Sequence, residues 1–172
     1  MDKEILLPKL IVTGIDGVWT DGCVYSGPDG EWLKRYNTSD SAGILLAHHY
    51  NIAVCMISDE ESAIDKKLAE QLKVDYLLLG CKNKLNAVEK LCRSHRIALG
   101  EVAYIGAQVS DYMMLKVANW SGVPSSAPEF LRRSAVNKLV KRGGEGAFTE
   151  FVERVLKEDL VEEAVSHEMK KW

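Results

Sequence analysis

An acidic turn follows the first apolar segment of the chain. Residues 10–12 are Leu, Ile and Val, and the stretch Gly14-Ile15-Asp16-Gly17 comes two residues later. Apolar, branched segments of this kind form strands that are buried on both faces of a parallel sheet. Open α/β sheets place their chemistry where such strands end. Asp16 is therefore the first candidate for acid–base chemistry.

Three later positions place a polar or charged side chain at a predicted strand end or helix start. They are Ser58 after the strand Ile52–Ile57, Lys84 in the helix Asn83–His95, and Asp111 after the strand Glu101–Ile105. Taken singly, a serine after a strand most often caps a helix, and a lysine at a helix start is most often solvated. Their order after successive strands makes the combination far more specific than any one of them.

Strands and helices alternate along the whole chain. The other predicted elements are a hairpin at about 22–37, helices at Ser41–Tyr50, Glu61–Lys73, Tyr112–Val117, Phe130–Arg133 and Phe148–Leu156, and strands at Val74–Leu79, Asn119–Val123 (an edge strand) and Val136–Val140. This alternation predicts an α/β fold, a parallel sheet with helices on both faces. We expect one domain over residues 1–172 with a helical tail at about 147–172. Ser39 or Asp40 is expected to cap the first helix.

Composition argues against several classes of function. The 172 residues suit one domain with its own core, and a net charge of −3 without a long basic run argues against nucleic acid as a partner. No apolar run approaches the roughly 20 residues of a membrane span. The acidic N-terminus lacks the apolar centre of a signal peptide, so we expect the cytoplasm.

Residues of metal-ligating type also occur away from the predicted strand ends. The four cysteines match no zinc spacing and are expected to be reduced packing residues. His48 and His49 are neighbours on a predicted helix, where adjacent side chains point about 100° apart. They are therefore not expected to bind one ion together; one should pack and the other should face solvent.

The strand-end residues resemble the haloacid dehalogenase (HAD) superfamily, whose first motif is an apolar strand, Asp-x-Asp-Gly and a nearby Thr-Asp-Gly. The chain is most similar to the capless branch that includes 3-deoxy-D-manno-octulosonate 8-phosphate phosphatase and the 2-keto-3-deoxy-nonulosonate 9-phosphate phosphatases. The matching segments are DGVWTDG at 16–22, YNTSDSAGI at 36–44, KVDYLLLG at 73–80, EVAYIG at 101–106, SGVPSSAP at 121–128 and RGGEGAF at 142–148. The resemblance implies a Rossmann-like HAD fold with a β-hairpin after the first strand and no large cap domain.

The resemblance also implies roles for individual residues. Asp16 would be the acid/base and would offer its backbone carbonyl to Mg²⁺, the expected cofactor, with Asp111 as a weak ligand. Phosphate-binding residues would be Ser58 and Lys84, and substrate-binding residues would be Glu60 and Arg142. The ligand would be a phosphorylated sugar acid of lipopolysaccharide or sialic acid biosynthesis. Family members are typically homotetramers in which the hairpins pack at the subunit interface.

Three positions depart from the family pattern. Gly14 stands where the nucleophilic aspartate belongs, and Ala107 and Gln108 replace two acids after the fourth strand. We expect no aspartyl-phosphate and weak or lost Mg²⁺ binding, because Mg²⁺ usually needs one or two carboxylates. The sequence therefore predicts a pseudo-phosphatase with a phosphosugar-binding or assembly role, similar to the C-terminal domain of vertebrate CMP-sialic acid synthetase.

Two alternatives stay open at this point. One is an active Mg²⁺-dependent phosphatase acting on an octulosonate or nonulosonate phosphate, with Asp16 activating water or Asp111 recruiting a metal in another way. The other is an interaction module without a ligand. Retention of Ser58 and Lys84 argues mildly against the second alternative.

Overall fold

Six parallel strands form the central sheet of the computed structural model, which describes residues 6–29 and 32–170. The strands in chain order are β1 Leu10–Gly14, β2 Tyr25–Ser26, β3 Trp32–Leu33, β4 Ala53–Ile57, β5 Tyr76–Leu78, β6 Val102–Ile105, β7 Trp120–Val123 and β8 Asn137–Lys138. Strands β2 and β3 form a separate antiparallel hairpin, and the sheet has the order β5-β4-β1-β6-β7-β8.

The position of β1 fixes where a site can form. The chain runs from β1 to β4 and β5 on one side and then returns to place β6 on the other side of β1. Gly14 is in register with Ile57, and Thr13 is in register with Ile105. The carboxyl ends of β1, β4 and β6 therefore lie side by side at the point where the strand order reverses, which is where open α/β sheets bind ligands.

Helices cover the sheet on both faces. They are α1 Ser41–His49, α2 Ala63–Leu72, α3 Lys84–His95, α4 Tyr112–Val117, α5 Glu129–Arg132, α6 Ala147–Leu156 and α7 Glu158–Met169. Helices α1, α6 and α7 pack on one another, and α3 packs on α4. Every residue of β1 and β6 is buried, as the apolar pattern predicts for central parallel strands. The predicted fold class is confirmed.

The helices can also be compared with the dimensions of a membrane. Within residues 6–29 and 32–170, none of them combines the length and the apolar character that a bilayer requires.

The prediction of an edge strand at Asn119–Val123 is wrong. Strand β7 lies inside the sheet, with β6 on one side and β8 on the other. Gly122 pairs with Asn137 and Val123 pairs with Lys138. The outer strand β8 lies within the predicted strand Val136–Val140, so the strand was predicted and only its position beside β7 was not.

The prediction that Ser39 or Asp40 caps the first helix with its side chain is also wrong. Asp40 precedes α1, but its Oδ1 accepts a hydrogen bond of 3.0 Å from the backbone N–H of Thr149, in the first turn of α6. Thr149 in turn accepts at its Oγ1 from the backbone N–H of Gly43. The two helices begin so close together that a Cβ on Gly43 would lie 2.8 Å from the ring of Phe148. Asp40 therefore joins α1 to α6.

The hairpin occupies the place where a cap domain would be inserted. A hairpin is present where the sequence predicted one, and each of its strands has two residues. Residues 30 and 31 and the side chain of Trp32 lie outside the described part. Several of its apolar side chains face solvent: Val24 is 47%, Tyr25 48% and Leu33 63% exposed. The hairpin therefore has apolar surface that its own domain does not cover.

Candidate active site

The loop after β1 carries Asp16 on a compact turn. The backbone N–H of Trp19 donates to the carbonyl of Ile15 over 3.0 Å, and the Thr20 hydroxyl donates to Asp16 Oδ1 over 3.3 Å. Trp19 is buried against Phe148, with ring centroids 4.5 Å apart. The DGVWTDG segment therefore anchors the loop in the core while Asp16 stays partly exposed at the sheet edge.

Two glycines allow other loops to approach this turn closely. Gly17 has φ +80°, and a Cβ there would lie 2.8 Å from the methyl group of Ala107. Gly143 has no room for a side chain, because a Cβ would collide with the carbonyl oxygen of Gly17. The RGGEGAF segment thus packs against the Asp16 loop of its own chain, and the exposed Arg142 immediately precedes this contact.

The nucleophile position faces a second acid. Gly14 is the last residue of β1, and a Cβ on it would lie 3.4 Å from Asp111 Oδ2, which is an ordinary contact distance. Ala107 is buried and presents only a methyl group near the same turn. Gly14 and Ala107 therefore bring no oxygen ligand or nucleophile to the site from their side chains.

Asp111 is completely buried and receives four hydrogen bonds. The donors are Lys84 Nζ at 2.6 Å and the Tyr104 hydroxyl at 2.5 Å on Oδ1, and the backbone N–H groups of Ala107 at 2.8 Å and Gln108 at 2.7 Å on Oδ2. Burial and the adjacent carboxylate raise the pKa of Tyr104 well above its ordinary value, so Tyr104 acts as a neutral donor. Both oxygens of Asp111 are occupied by these donors.

A backbone hydrogen bond joins the two segments that carry the residues predicted to bind phosphate, Ser58 and Lys84. Ser58 is buried at the end of β4, and its carbonyl accepts from the backbone N–H of Cys81 over 2.9 Å, which holds the loop before α3 against it. Asn83 caps α3 by accepting from the Asn86 N–H at 3.0 Å. Lys84 is the first residue of that helix, and its side chain is 2% exposed. A helix N-terminus adds backbone N–H donors that favour an anion.

A lysine that the sequence did not single out completes the site. Lys34 follows β3, and its Nζ lies 3.1 Å from Asp16 Oδ2 and 3.0 Å from both oxygens of Asp65 in α2. Its side chain is only 4% exposed. Burial opposes the charge on Lys34, but the two carboxylates outweigh it and raise the lysine pKa. Burial raises the pKa of Asp65, an effect that Lys34 opposes.

One signal in the sequence indicates this contact. Asp65 lies on the face of α2 that also buries Leu68 and Ala69. An acid on the apolar face of a helix needs a cation, because an unpaired buried charge is strongly unfavourable. The sequence does not say which lysine supplies it, since the partners are 31 residues apart.

The structure gathers most of the predicted site residues at one edge of the sheet. Gly14, Asp16, Ser58, Lys84, Ala107 and Asp111 all lie at the ends of β1, β4 and β6 or at the start of α3. Glu60, Gln108 and Arg142 are exposed at its margin. The Glu60 backbone N–H donates to Ser58 Oγ over 3.2 Å, so Glu60 borders the phosphate side.

The fit of this edge to Mg²⁺ can be judged from its oxygens. Mg²⁺ takes six oxygens in near-octahedral geometry, with one or two carboxylates among them. The Asp16 carboxylate is held by Lys34 and Thr20, and Asp111 by its four donors. As arranged, these side chains do not fit Mg²⁺, and only the Asp16 carbonyl remains of the expected ligand set.

The fold and the order of the strand-end residues define the HAD class of hydrolases. No protein-family profile matches the chain. It is 31% identical over 148 residues to the 3-deoxy-D-manno-octulosonate 8-phosphate phosphatase KdsC of Salmonella typhi, across 86% of this chain and 79% of that protein. The chain therefore belongs to the family of KdsC phosphatases.

Solved structures agree with this assignment. A probable YrbI family phosphatase from Pseudomonas syringae superposes with a TM-score of 0.88 at 30% identity, covering 96% of this chain and 94% of that one. The 3-deoxy-D-manno-octulosonate 8-phosphate phosphatase of Moraxella catarrhalis, in complex with magnesium, phosphate and KDO, has a TM-score of 0.88 at 25% identity, covering 93% and 92%.

Proposed function

We propose that this protein binds a phosphorylated 2-keto-3-deoxy sugar acid at the family site and does not hydrolyse it through an aspartyl-phosphate. One observation carries the proposal: the nucleophile position is Gly14, while Lys84 stays buried and paired at the same edge. A glycine has no atom that can attack phosphorus. The protein would then be a pseudo-phosphatase with a binding or assembly role.

The retained residues suit an anionic phosphate. The Ser58 hydroxyl and the Lys84 ammonium are both at the sheet edge, and the backbone N–H groups at the start of α3 add further donors. Asp111 holds Lys84 through its 2.6 Å ion pair and thereby fixes the position of the cation. Glu60 and Arg142, both exposed at the margin, are placed to contact the sugar.

We also propose that Mg²⁺ binds weakly or not at all. Asp16 and Asp111 would each have to give up hydrogen bonds before binding a metal. Lys34 supplies a positive charge at Asp16 without a metal. The Moraxella phosphatase holds magnesium and phosphate together, so loss of the metal would be a change within the family.

Assembly and location follow from the same proposal. We propose one domain over residues 1–172 and a homotetramer in which the exposed apolar hairpin residues Val24, Tyr25 and Leu33 are covered by neighbouring subunits. A cytoplasmic location and the absence of a nucleic-acid partner remain predictions from composition.

An active phosphatase is the second candidate, and the family relationship favours it. The relatives named above are phosphatases, and Asp16 is retained with its carboxylate 23% exposed. Without a nucleophile on β1, Asp16 would have to activate water for direct attack on phosphorus.

Binding without turnover is the direct test of the main proposal. Thermal unfolding of the full chain would be followed with 3-deoxy-D-manno-octulosonate 8-phosphate, with the dephosphorylated sugar acid, and with inorganic phosphate. We expect stabilisation by the phosphorylated sugar without phosphate release, and a weaker effect of the unphosphorylated one. Ser58→Ala should weaken the effect, while Ser94→Ala, at an exposed serine of α3, should not.

Two results would overturn the proposal. Metal-dependent phosphate release by the unaltered chain would favour the active phosphatase. No stabilisation by any of the three compounds would favour an interaction module without a ligand.

A further inference from the structure

Two histidines and a glutamate meet where the C-terminal helix packs on α1. His49 is the last residue of α1, and His167 and Glu168 lie in the last turn of α7. One ring nitrogen of each histidine and one oxygen of Glu168 all lie within 4.8 Å of one another. Two imidazoles and a carboxylate are a ligand set that proteins use for Zn²⁺.

The spacing of these atoms suits a shared ion. Glu168 Oε1 is 3.4 Å from His49 Nδ1 and 3.5 Å from His167 Nδ1. Ligands that surround Zn²⁺ tetrahedrally at its usual bond lengths are separated by about 3.4 Å. The two measured separations therefore already match two edges of a tetrahedron.

The same distances are long for direct hydrogen bonds between charged groups. Such bonds are typically about 2.7–2.9 Å between nitrogen and oxygen. His48, the neighbouring residue, provides a reference within this chain, because its Nε2 lies 2.8 Å from Asp75 Oδ2. Both His49 and His167 approach Glu168 less closely than His48 approaches Asp75.

His48 and His49 diverge as their adjacent positions on a helix predict. His48 turns to Asp75, while His49 turns to α7, where its ring centroid lies 5.0 Å from that of His167. The side chain of His48 is 38% exposed and that of His49 is 15% exposed. The partner of His49 is therefore a histidine far along the chain.

The cluster is remote from the phosphate edge. His49 ends α1 just before the chain enters β4 at Ala53, whereas Ser58 lies at the opposite end of that strand. The cluster borders a cavity of about 620 Å³ that is also lined by Leu45, Gln71 and Lys73. A metal bound here would not take part in chemistry at Asp16.

We propose that His49, His167 and Glu168 form a Zn²⁺ site that fastens α7 to α1. Each imidazole would bind through an unprotonated Nδ1, Glu168 would bind through one oxygen, and water would complete the tetrahedron. Such a metal would add to the packing of helix α7, in which Ala164 is the one fully buried residue among those described. A metal that binds only the folded chain stabilises it by mass action.

The test uses the full chain after treatment with a chelator and dialysis. ZnCl₂ would be titrated by calorimetry, and CoCl₂ would be added separately so that visible absorption reports a four-coordinate site. We expect one equivalent of Zn²⁺ and a rise in unfolding temperature that MgCl₂ does not produce. His167→Gln and His49→Gln should each weaken binding by about 100-fold.

Two controls keep the outcome decisive. His48→Gln changes the adjacent histidine and should leave Zn²⁺ binding unchanged, and Cys23→Ser removes the exposed thiol, which could otherwise bind zinc. The side chain of His167 is 57% exposed, so its variant is expected to fold even if the His49 variant does not. Zn²⁺ affinity that is the same in His167→Gln, or that depends on Cys23, would overturn the proposal.

Discussion

The two sides of the candidate site differ in which residues of the family pattern they retain. On the phosphate side, Ser58 and Lys84 occupy the positions that the family pattern gives them, and Asp111 holds the lysine. On the nucleophile side, Gly14 and Ala107 carry no functional group. Two buried lysines pair with the acids of this edge: Lys84 with Asp111, and Lys34 with both Asp16 and Asp65.

This difference explains how the altered edge can be stable. An aspartate at position 14 would have its Cβ 3.4 Å from Asp111 Oδ2, so its carboxylate would lie near that of Asp111. Closely spaced carboxylates need a cation between them. With glycine at 14 and alanine at 107, Asp111 pairs with Lys84, and Asp16 shares Lys34 with Asp65. The departures are therefore mutually consistent.

The largest effect on folding is expected at Lys84. Lys84→Met would leave Asp111 buried without its cation, and removing one partner of a buried ion pair costs about 4 kcal/mol. Urea unfolding would measure the loss. Lys82→Met, at an exposed position two residues earlier, should change the free energy of unfolding by less than about 0.5 kcal/mol. Equal stability of the two variants would show that the phosphate side does not depend on this ion pair.

Lys34 is expected to contribute somewhat less. Lys34→Met would leave Asp65 buried and unpaired, at a cost of about 3 kcal/mol near neutral pH. The pKa of Asp65 should rise further, so the destabilisation should shrink as the pH falls and this carboxyl is protonated. Denaturant unfolding at several pH values would show this trend. Lys66→Met, next to Asp65 but exposed, is the matched control and should show no such pH dependence.

Asp40 is a buried acid that has no lysine at hydrogen-bond distance among the described residues, so its titration should affect stability in a different way. Burial raises its pKa to about 6, against the opposing effect of backbone N–H groups at the start of α6. Because the folded state then binds the proton more tightly than the unfolded state, Asp40 favours folding at low pH, and this contribution is lost as the pH rises through about 6. Between pH 4 and pH 7 the loss is about 2 kcal/mol.

Asp40→Asn removes this titration while preserving an acceptor for the Thr149 N–H. Its free energy of unfolding, relative to the unaltered chain, should therefore improve by about 2 kcal/mol between pH 4 and pH 7. Paired unfolding curves across this range would measure the change. A difference that is constant with pH would mean that Asp40 is ionised in the folded protein throughout.

Much of the fold could be predicted from the sequence, because strand and helix periodicity are local. The buried segment Leu10–Gly14, the hairpin and the helix that begins at Lys84 all follow from short patterns. The strand that contains β8 was predicted, but its position beside β7 was not, since strand order depends on pairing between segments that are distant in the sequence. Capping of α6 by Asp40 was also missed, because it joins residues 109 positions apart.

The residues of the candidate site also fall into those that the sequence predicts and those that only the fold reveals. Positions that follow a strand or open a helix, such as Asp16, Ser58 and Lys84, could be found from motifs and their order. Lys34 could not be found, because its role depends on how the hairpin folds back onto α2. The contact of His49 with α7 could not be predicted from the sequence either, since Glu168 is 119 residues away.

The central claim is that the scaffold persists without its covalent chemistry. The most direct measurement compares phosphate release from 3-deoxy-D-manno-octulosonate 8-phosphate, with and without Mg²⁺, by the unaltered chain and by the variant with Gly14→Asp and Ala107→Asp together. We predict Mg²⁺-dependent release by the double variant alone, abolished when Asp16→Asn is added. Mg²⁺-dependent release by the unaltered chain would contradict the account, and a folded but inactive double variant would show that positions 14 and 107 are wrongly assigned.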